Sequence, residues 1–358
     1  MSNNQARRER VRERLPGDVV ALLVTEPANV RYLTGFTGSN GQLLLGADSS
    51  FFTDGRYQEQ SAVQVPDLER HIYSGSTKFS DLLAKSLADR GFTKLGVEAS
   101  HMTVAGLGRM TAALDGIELV PTTDLVEGVR ERKDAQEIDA IRRAQVVAER
   151  AVTTVLREWR SGTELELALA LEWAIRTGGG EGVSFDVIVA TGPHSALPHA
   201  EPRNVPADVD GVLLIDIGAR VDGYCSDMTR TYLGPQAPDG LHKVHAAVMA
   251  ALEAGCQAVR PGVACADVDK AARDVLESAG YGEYFIHSTG HGVGLEIHEG
   301  PTLTTSAEGN LEPGMVVTVE PGVYLPGVGG VRIEDFLVVT EDGADNLTKL
   351  DRGASRPN

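Results

Sequence analysis

Short apolar runs alternate with segments of helical periodicity in the first third of the chain. The runs VVALLV, GQLLLG and SFFTD are bounded by polar and glycine residues, whereas residues 56–65, 78–90 and 103–114 carry apolar side chains at helical spacing. Compact apolar runs predict strands, and strands that alternate with helices are typical of a layered α/β domain. The pattern predicts such a domain over residues 1–124.

A second domain is predicted over residues 135–358, after a linker at residues 125–134 that has little apolar periodicity. Asp134 and Glu137 stand in the D-x-x-E spacing of a capping box, and an apolar stripe follows them to about Trp159. A long amphipathic helix is therefore expected to open the second domain.

A weak internal repeat is visible within the second domain. Residues 161–163 (SGT) open an apolar helical run that ends at Gly178, and residues 261–263 (PGV) open another that ends at Gly280. The offset of about 100 residues is too long for a solenoid. It predicts two similar α/β halves that pack as one domain.

The stretch LLIDIGARVDGYCSDMTRT, residues 213–231, is predicted to form a β-hairpin that carries Asp216 and Asp227. With a turn at Val221-Asp222 these residues would be direct partners, and the Cβ atoms of facing residues lie roughly 4.5 to 5.5 Å apart. Two buried carboxylates need a compensating cation, so the hairpin indicates one half of a metal site. Taken alone, it is equally compatible with two solvated aspartates.

A second hairpin, across MVVTVEPGVYLPGVGGVRIEDFLVV, repeats the arrangement with glutamates. Glu320 and Glu334 are equidistant from Gly327, so a turn centred there places the two carboxylates opposite each other. Paired carboxylates in both halves of one domain make coincidence a poor explanation. The two hairpins together favour a metal site.

Histidine completes the candidate ligand set. The stretch HSTGHGVGLEIHE contains His287, His291 and His298, and its glycines allow close approach of backbone and ligand. Four carboxylates with one imidazole form an oxygen-rich set that suits Mn²⁺, Co²⁺ or Zn²⁺ better than it suits a thiolate-rich structural zinc site. Two such ions ~3.5 to 4 Å apart can activate water for hydrolysis, so the pattern predicts a hydrolase.

Composition limits the classes of binding partner and the cellular compartment that are expected for this protein. The formal net charge of −18 repels phosphate backbones and anionic lipids, which argues against nucleic acid and membrane surfaces as partners. Three cysteines without a CxxC pair suit a reducing cytosol. The Arg- and Glu-rich N-terminus lacks the apolar core of a secretory signal, and no run approaches the roughly 20 apolar residues of a membrane span. A cytoplasmic protein is expected.

The candidate ligands closely resemble those of the proline-specific metallopeptidases, which comprise the Xaa-Pro dipeptidases (prolidases) and the Xaa-Pro aminopeptidases. The resemblance implies an α/β (α+β) fold with a C-terminal pita-bread catalytic domain and a smaller creatinase-like N-terminal domain, to which VRYLTGFTGSNGQLLL and FFTDGRYQEQ are similar. The ligands that match in order and spacing are Asp216, Asp227, His291, Glu320 and Glu334.

The same resemblance implies a site with two divalent metal ions, manganese first and cobalt or zinc as alternatives. Asp216 would bind one ion, and Asp227 and Glu334 would bridge both. His291 and Glu320 would complete the set. Glu320 would also accept a proton from the bridging water.

Four further residues match positions around the metal site of the family. His298 would stabilise the oxyanion, and His199, in ATGPHSALPHA, would contact the substrate near the scissile bond. His287 would relay protons, and Arg332 would support a ligand carboxylate or the substrate. Without the resemblance, a histidine in a proline-rich loop such as His199 is ordinarily a solvated side chain.

The resemblance implies a homodimer that acts on peptides with proline in second position. Many prolidases hold the proline carboxylate with an arginine after the HE motif, but HEGPTLTTSAEGN contains no basic residue. Two substrate classes stay open: Xaa-Pro dipeptides, which the compact length of the chain favours, and longer peptides with proline second. A non-catalytic peptide-binding module on the same fold is disfavoured, because all the ligands and both His199 and His298 are present.

Overall fold

The computed structural model describes residues 3–357 and divides into two compact units, residues 1–130 and 131–358. The division lies inside the predicted linker, part of which forms the short helix Glu127–Arg130. The domain boundaries derived from the sequence stay predictions. Within residues 3–357 no helix is both long enough and apolar enough to cross a bilayer.

The first unit alternates strands and helices, as its sequence pattern predicts. Its described strands are β1 (Leu22–Val24), β2 (Gly41–Leu45), β3 (Ser50–Asp54), β4 (Glu69–Tyr73), β5 (Lys94–Glu98) and β6 (Glu118–Thr122). Its described helices are α1 (Asn3–Arg12), α2 (Pro27–Thr34), α3 (Gln58–Gln64), α4 (Phe79–Asp89), α5 (Val104–Ala113) and α6 (Glu127–Arg130).

These strands form one mixed sheet in the order β4-β3-β2-β1-β5-β6. Strand β1 pairs antiparallel with β2 and parallel with β5. Leu23, Leu44 and Phe52 of the central strands are buried against Leu83 and Leu87 of α4. The unit is therefore a helix layer on a sheet, which confirms the predicted α/β arrangement.

The second unit contains four long helices and a larger set of strands within its described residues. The helices are α7 (Ala135–Glu158), α8 (Glu164–Thr177), α9 (Asp239–Ala258) and α10 (Cys265–Ser278). The strands are β7 (Gly182–Val183), β8 (Ile188–Thr191), β9 (Val212–Asp216), β10 (Ala219–Val221), β11 (Tyr224–Cys225), β12 (Thr229–Leu233), β13 (Gly290–Gly292), β14 (Glu299–Leu303), β15 (Val316–Val319), β16 (Gly322–Leu325), β17 (Gly329–Arg332), β18 (Asp335–Val339) and β19 (Ala344–Asn346).

Each half of this unit packs two helices against antiparallel strands. In the first half α7 and α8 pack against the sheet β12-β9-β8, and in the second half α9 and α10 pack against the sheet β14-β13-β15-β18-β19. Helix α8 ends directly before Gly178, and α10 ends two residues before Gly280. The internal repeat in the sequence thus corresponds to two halves with the same layering, and Val212 and Leu233 of the first half belong to the apolar cluster of the second.

The predicted capping box opens α7. The side chain of Asp134 accepts from the main-chain N–H of Glu137 at 3.0 Å, and the side chain of Glu137 accepts from the N–H of Asp134 at 2.9 Å. Two N–H groups that the helix leaves without partners are satisfied reciprocally. The helix ends at Glu158 with Trp159 as its C-cap, in agreement with an apolar stripe that runs to about Trp159.

The turn of the first hairpin lies one residue later than predicted. Val221 pairs with Tyr224, so Asp222 and Gly223 form the turn, and their φ angles are 50° and 82°. Asp-Gly is favoured in two-residue turns that need positive φ at both positions, whereas a β-branched valine is not. The predicted turn at Val221-Asp222 is therefore wrong.

Asp216 consequently pairs with Thr229 and not with Asp227. Because side chains alternate along a strand with a period of two, a shift of two positions preserves the face on which a residue lies. Asp227 therefore stays on the same side of the ladder as predicted, diagonal to Asp216.

The register of the second hairpin is as predicted. Gly322 pairs with Arg332 in the β16–β17 ladder, and Val319 pairs with Asp335 in the β15–β18 ladder. Both ladders have the register of a turn centred on residue 327. Glu320 and Glu334 lie between the two ladders, at opposing positions.

The guanidinium of Arg230 ties β12 to β18 and to the residues that follow β19. It donates to the main-chain carbonyls of Glu334, Leu350 and Asp351 and forms an ion pair of 3.0 Å with Asp335. The side chains of the pair are 2% and 0% exposed. A buried charge network therefore lies directly behind Glu334.

Replacing Arg230 with methionine is expected to lower the free energy of unfolding by about 3 to 5 kcal/mol, because it leaves Oδ1 of the buried Asp335 and several carbonyls without their donor, while Arg352 and Asn346 still bind Oδ2. Urea unfolding measures the change. The control is Arg220→Met, which removes a half-exposed ion pair of 3.6 Å and should cost less than about 1 kcal/mol. Equal stability of the two variants would contradict the assignment of Arg230.

Candidate metal centre

One cavity of about 660 Å³ in the second unit gathers every side chain that the sequence marks as a site residue. Its walls come from both halves of the unit, from the loop after β8 and from the segments around β13 and β17. The predicted site residues that line it are His199, Asp216, Asp227, His287, His291, His298, Glu320, Arg332 and Glu334.

Three carboxylates converge at the floor of this cavity. Asp216 ends β9, Asp227 precedes β12, and Glu334 joins β17 to β18. One carboxylate oxygen from each lies within 4.8 Å of the others. The paired strands of both halves thus bring residues that are distant in sequence to one point.

The carboxylates of this cluster repel one another in a buried setting. Burial raises the pKa of Asp227 well above its usual range, and the charges of Glu334 and Asp216 add to the effect. The pKa of Glu334 is raised in the same way, by burial and by Glu320 and Asp216. Burial raises the pKa of Glu320 to about 8, although Arg332 opposes it. A positive charge at this point would relieve the repulsion.

Two oxygens of the cluster have no hydrogen-bond donor although they are buried. Asp216 Oδ1 and Glu334 Oε1 are both without a partner. The other oxygen of each side chain is held, by Arg332 Nη2 at 2.5 Å and by Thr229 Oγ1 at 2.8 Å. Hydrogen bonds therefore orient each carboxylate and leave one oxygen directed at the cluster, as in metal sites with ordered outer partners.

His291 presents a lone pair to the same point. Its Nδ1 lies 3.1 Å from the carbonyl of Gly292, and because a carbonyl only accepts, Nδ1 carries the proton. Nε2 then lies unprotonated, 3.4 Å from Glu320 Oε1 and 3.6 Å from Asp227 Oδ2. Burial lowers the pKa of His291 to about 4, so the ring is neutral near pH 7. A neutral imidazole among carboxylates fits a divalent metal ion.

A chain of hydrogen bonds runs from the carboxylate cluster to His287. Arg332 donates to Asp216, to the hydroxyl of Tyr324 at 2.8 Å and to the carbonyl of Pro198 at 3.0 Å. Tyr324 therefore directs its own proton to Nε2 of His287, at 2.9 Å. Arg332 is thus the donor that orients the Asp216 carboxylate, and its charge compensates the cluster.

Tyr324 has no counterpart among the sequence-predicted site residues. It lies on β16 with 4% of its surface exposed, inside the apolar run GVYL. A buried tyrosine hydroxyl needs a hydrogen-bond partner, which is the signal that could have singled it out. No signal in the sequence singled out Thr229 either, because a threonine in a strand is ordinarily explained by its β-propensity alone.

His298 and His199 lie on the open side of the cavity. Both are exposed, and the ring centroid of His298 is 4.4 Å from that of His291 in an edge-to-face arrangement. His199 belongs to the loop between β8 and β9. The structure therefore places two imidazoles on the side from which a substrate would enter.

This fold and this site define a hydrolytic metalloenzyme, and comparison with known proteins identifies the family. Residues 139–341 match metallopeptidase family M24, and residues 7–132 match the creatinase/prolidase N-terminal domain. The chain belongs to metallopeptidase family M24. Its second unit has the pita-bread fold and its first unit the creatinase-type fold, and membership implies divalent metal ions.

Individual relatives agree with this membership. The chain is 40% identical to the uncharacterized peptidase YqhT of Bacillus subtilis, over 91% of this chain and 93% of that protein. The Xaa-Pro dipeptidase from Bacillus anthracis is 38% identical with a TM-score of 0.95, covering 99% of both chains. The X-Pro aminopeptidase from Thermotoga maritima is 36% identical with a TM-score of 0.89, covering 95% of this chain and 98% of that chain.

Proposed function

We propose that this metallopeptidase hydrolyses the peptide bond that precedes proline, with Xaa-Pro dipeptides as its substrates. The observation that carries the proposal is the convergence of Asp216, Asp227 and Glu334 with two donor-free buried oxygens. Similarity to the Xaa-Pro dipeptidase of Bacillus anthracis supports the substrate class. A bond to proline is a tertiary amide without an N–H, which a metal-assisted hydrolase does not need to grip.

The proposed metal ligands are Asp216, Asp227, His291, Glu320 and Glu334. Two divalent cations bound by them would supply Lewis acidity and lower the pKa of an attacking water. Manganese is the proposed metal, since oxygen-rich sets suit it, with cobalt or zinc as alternatives. The family resemblance supports a homodimer, and the absence of a CxxC pair supports a reducing cytoplasm.

The remaining site residues would handle protons and charge. Glu320 would accept a proton from the attacking water at its carboxylate, the role of a general base. His298 donates to the oxygen on which negative charge develops, and His199 contacts the peptide near the scissile bond. Arg332 holds Asp216 and Tyr324 in place, so that Tyr324 orders His287 for proton relay.

Longer peptides with proline second are the alternative substrates. Among the described residues that line the cavity, Arg332 is the one arginine or lysine, and its guanidinium already binds Asp216, Tyr324 and Thr229. These contacts leave it poorly placed to hold the carboxylate of a dipeptide. Similarity to the X-Pro aminopeptidase of Thermotoga maritima supports the same alternative.

Hydrolysis of Leu-Pro compared with Leu-Pro-Pro, with Mn²⁺ present, distinguishes the two substrate classes. We expect a higher kcat/KM for Leu-Pro, with no hydrolysis of Leu-Ala as the control for proline specificity. Asp227→Asn, purified in parallel, reports any contaminating host peptidase. Selective cleavage of the tripeptide would overturn the dipeptidase assignment, and inactivity towards both would overturn the proposed function.

A further inference from the structure

The first residue of α8, Glu164, is a carboxylate with 0% of its side chain exposed and many donors around it. It accepts from the main-chain N–H of Thr191 at 2.9 Å and from that of Arg203 at 3.1 Å. The hydroxyl of Thr191, the guanidinium of Arg203 and Nδ1 of His194 also point to it. No residue of the proposed mechanism uses this carboxylate.

The two ends of one loop therefore meet at Glu164. Thr191 ends β8, and Arg203 follows the loop residues 192–202. Five consecutive residues of that loop, 198–202, line the cavity, and His199 is among them. Glu164 therefore binds both the entry and the exit of this loop, and a main-chain bond from the N–H of Leu165 to the carbonyl of Arg203 also holds the exit.

Glu164 is ionised in this position. Burial raises its pKa, but the hydrogen bonds from Arg203 and Thr191 outweigh burial and lower the pKa to about 2. A glutamine would bring its own NH₂ donor towards these donors and could not satisfy them all. The contact therefore depends on the charge and not only on the shape of the side chain.

The second half of the unit repeats this device. Asp269 of α10, fully buried, accepts from the main-chain N–H of Thr289 at 3.1 Å and from its hydroxyl at 2.8 Å. Arg273 binds Asp269 with two nitrogens and donates to the carbonyl of His287. In each half, a helix carboxylate, a threonine and an arginine fix a segment that carries site histidines.

We propose that Glu164 is a positioning residue of the active site, which holds the loop 192–202 so that His199 and its neighbours form the substrate-binding wall. The proposal rests on the proposed function for its kinetic readout. It concerns none of the proposed metal ligands, so its effects should appear with the metal content unchanged.

The test is Glu164→Gln in the full-length protein, assayed with Leu-Pro and Mn²⁺. We expect kcat/KM to fall by about 100-fold, because a displacement of about 1 Å in a binding loop can cost that much. In a His199→Ala background the same change should add little, because both substitutions disable one unit. Arg203→Met, at a half-exposed side chain, should give a smaller loss in the same direction.

The matched control is Glu166→Gln on the same helical turn. Glu166 caps Thr163 at the helix start and contacts neither end of the loop, so its loss should leave kcat/KM close to the wild-type value. Wild-type kinetics in Glu164→Gln, losses that multiply with His199→Ala, or loss of metal from Glu164→Gln would each overturn the proposal.

Limited digestion with trypsin separates this proposal from the proposed function. Release of the loop should make cleavage after Arg203 faster in Glu164→Gln than in Glu166→Gln, whether or not the protein hydrolyses Leu-Pro. Equal cleavage rates would overturn the positioning role. An inactive wild-type protein with faster cleavage in Glu164→Gln would overturn the substrate assignment alone.

Discussion

Replacing Asp227 with asparagine should abolish both metal binding and peptidase activity. The residue is 5% exposed and would hold divalent cations through a carboxylate that must be ionised. An amide offers a single neutral oxygen. Removing a group that only hydrogen-bonds to a metal ligand lowers metal affinity or activity by about 10-fold to 100-fold. The loss in Asp227→Asn should be larger. Metal analysis after dialysis and turnover of Leu-Pro measure the two effects.

The same variant should respond differently to heat. In wild type, excess Mn²⁺ should raise Tm, since a ligand at about 100 times its Kd adds about 2.7 kcal/mol to the native state. Asp227→Asn should lose this rise, yet in chelator it should be at least as stable as wild type, because one of the mutually repelling charges is gone. Asp222→Asn, an exposed residue of the same hairpin, is the control and should keep metal and activity. An active Asp227→Asn enzyme without metal would contradict the dinuclear site.

Replacing His298 with alanine should lower kcat by about 10²-fold to 10³-fold, the usual cost of losing one oxyanion donor. Metal content should stay unchanged, because His298 lies at the open side of the cavity and is not a proposed ligand. KM should change little, since the imidazole interacts with charge that develops only in the transition state.

His242→Ala provides the comparison for this result. His242 is exposed on α9 and lines no part of the cavity, so its loss should leave kcat at the wild-type value. Steady-state kinetics with Leu-Pro, together with metal analysis of both variants, completes the experiment. An undiminished kcat, or the loss of metal from His298→Ala, would remove His298 from the proposed mechanism.

Local sequence signals were sufficient wherever the deciding contacts are close along the chain. The capping box of Asp134 and Glu137 spans three residues, and the turn centred on Gly327 fixes the register that opposes Glu320 and Glu334. The capping box and the register depend on residues close along the chain and on the period of the side-chain pattern. Both can be read from the sequence.

The turn of the first hairpin shows how one local signal can be misread. The prediction centred it on Val221-Asp222 by symmetry about the two aspartates, whereas positive φ at Asp222 and Gly223 sets it one residue later. The backbone requirement of the turn outweighs the symmetry of the side chains. Asp227 nevertheless lies on the predicted face, because the pairing register of the two strands shifts by two residues.

Two elements of the first unit lacked a usable pattern. Helix α2 has only eight residues, too few for a clear stripe, and the strand β4 is an edge strand whose side chains are partly or fully exposed. A short helix and a half-exposed strand owe their stability to tertiary packing, and their own composition says little about it.

The role proposed for Glu164 was beyond sequence analysis for a different reason. An acidic residue in the first turn of a helix is ordinarily explained by the helix dipole. Its partners Thr191 and Arg203 lie 27 and 39 positions away, so only the folded chain brings them together. The role of Tyr324 was equally beyond sequence analysis, because the partner of its hydroxyl, His287, is 37 positions away.

Arg230 has a consequence for the order in which the active site can be made. Its guanidinium joins β12 to the carbonyl of Glu334, 104 positions later, and to that of Asp351, 121 positions later. During synthesis at the ribosome, the carboxylates Asp216 and Asp227 emerge long before the residues that complete their cluster. Contacts over such separations form late, because a long loop must close first. The aspartates of the first half therefore wait for Glu320 and Glu334, and Arg230 gains its acceptors at Leu350 and Asp351 only after all four carboxylates have been synthesised.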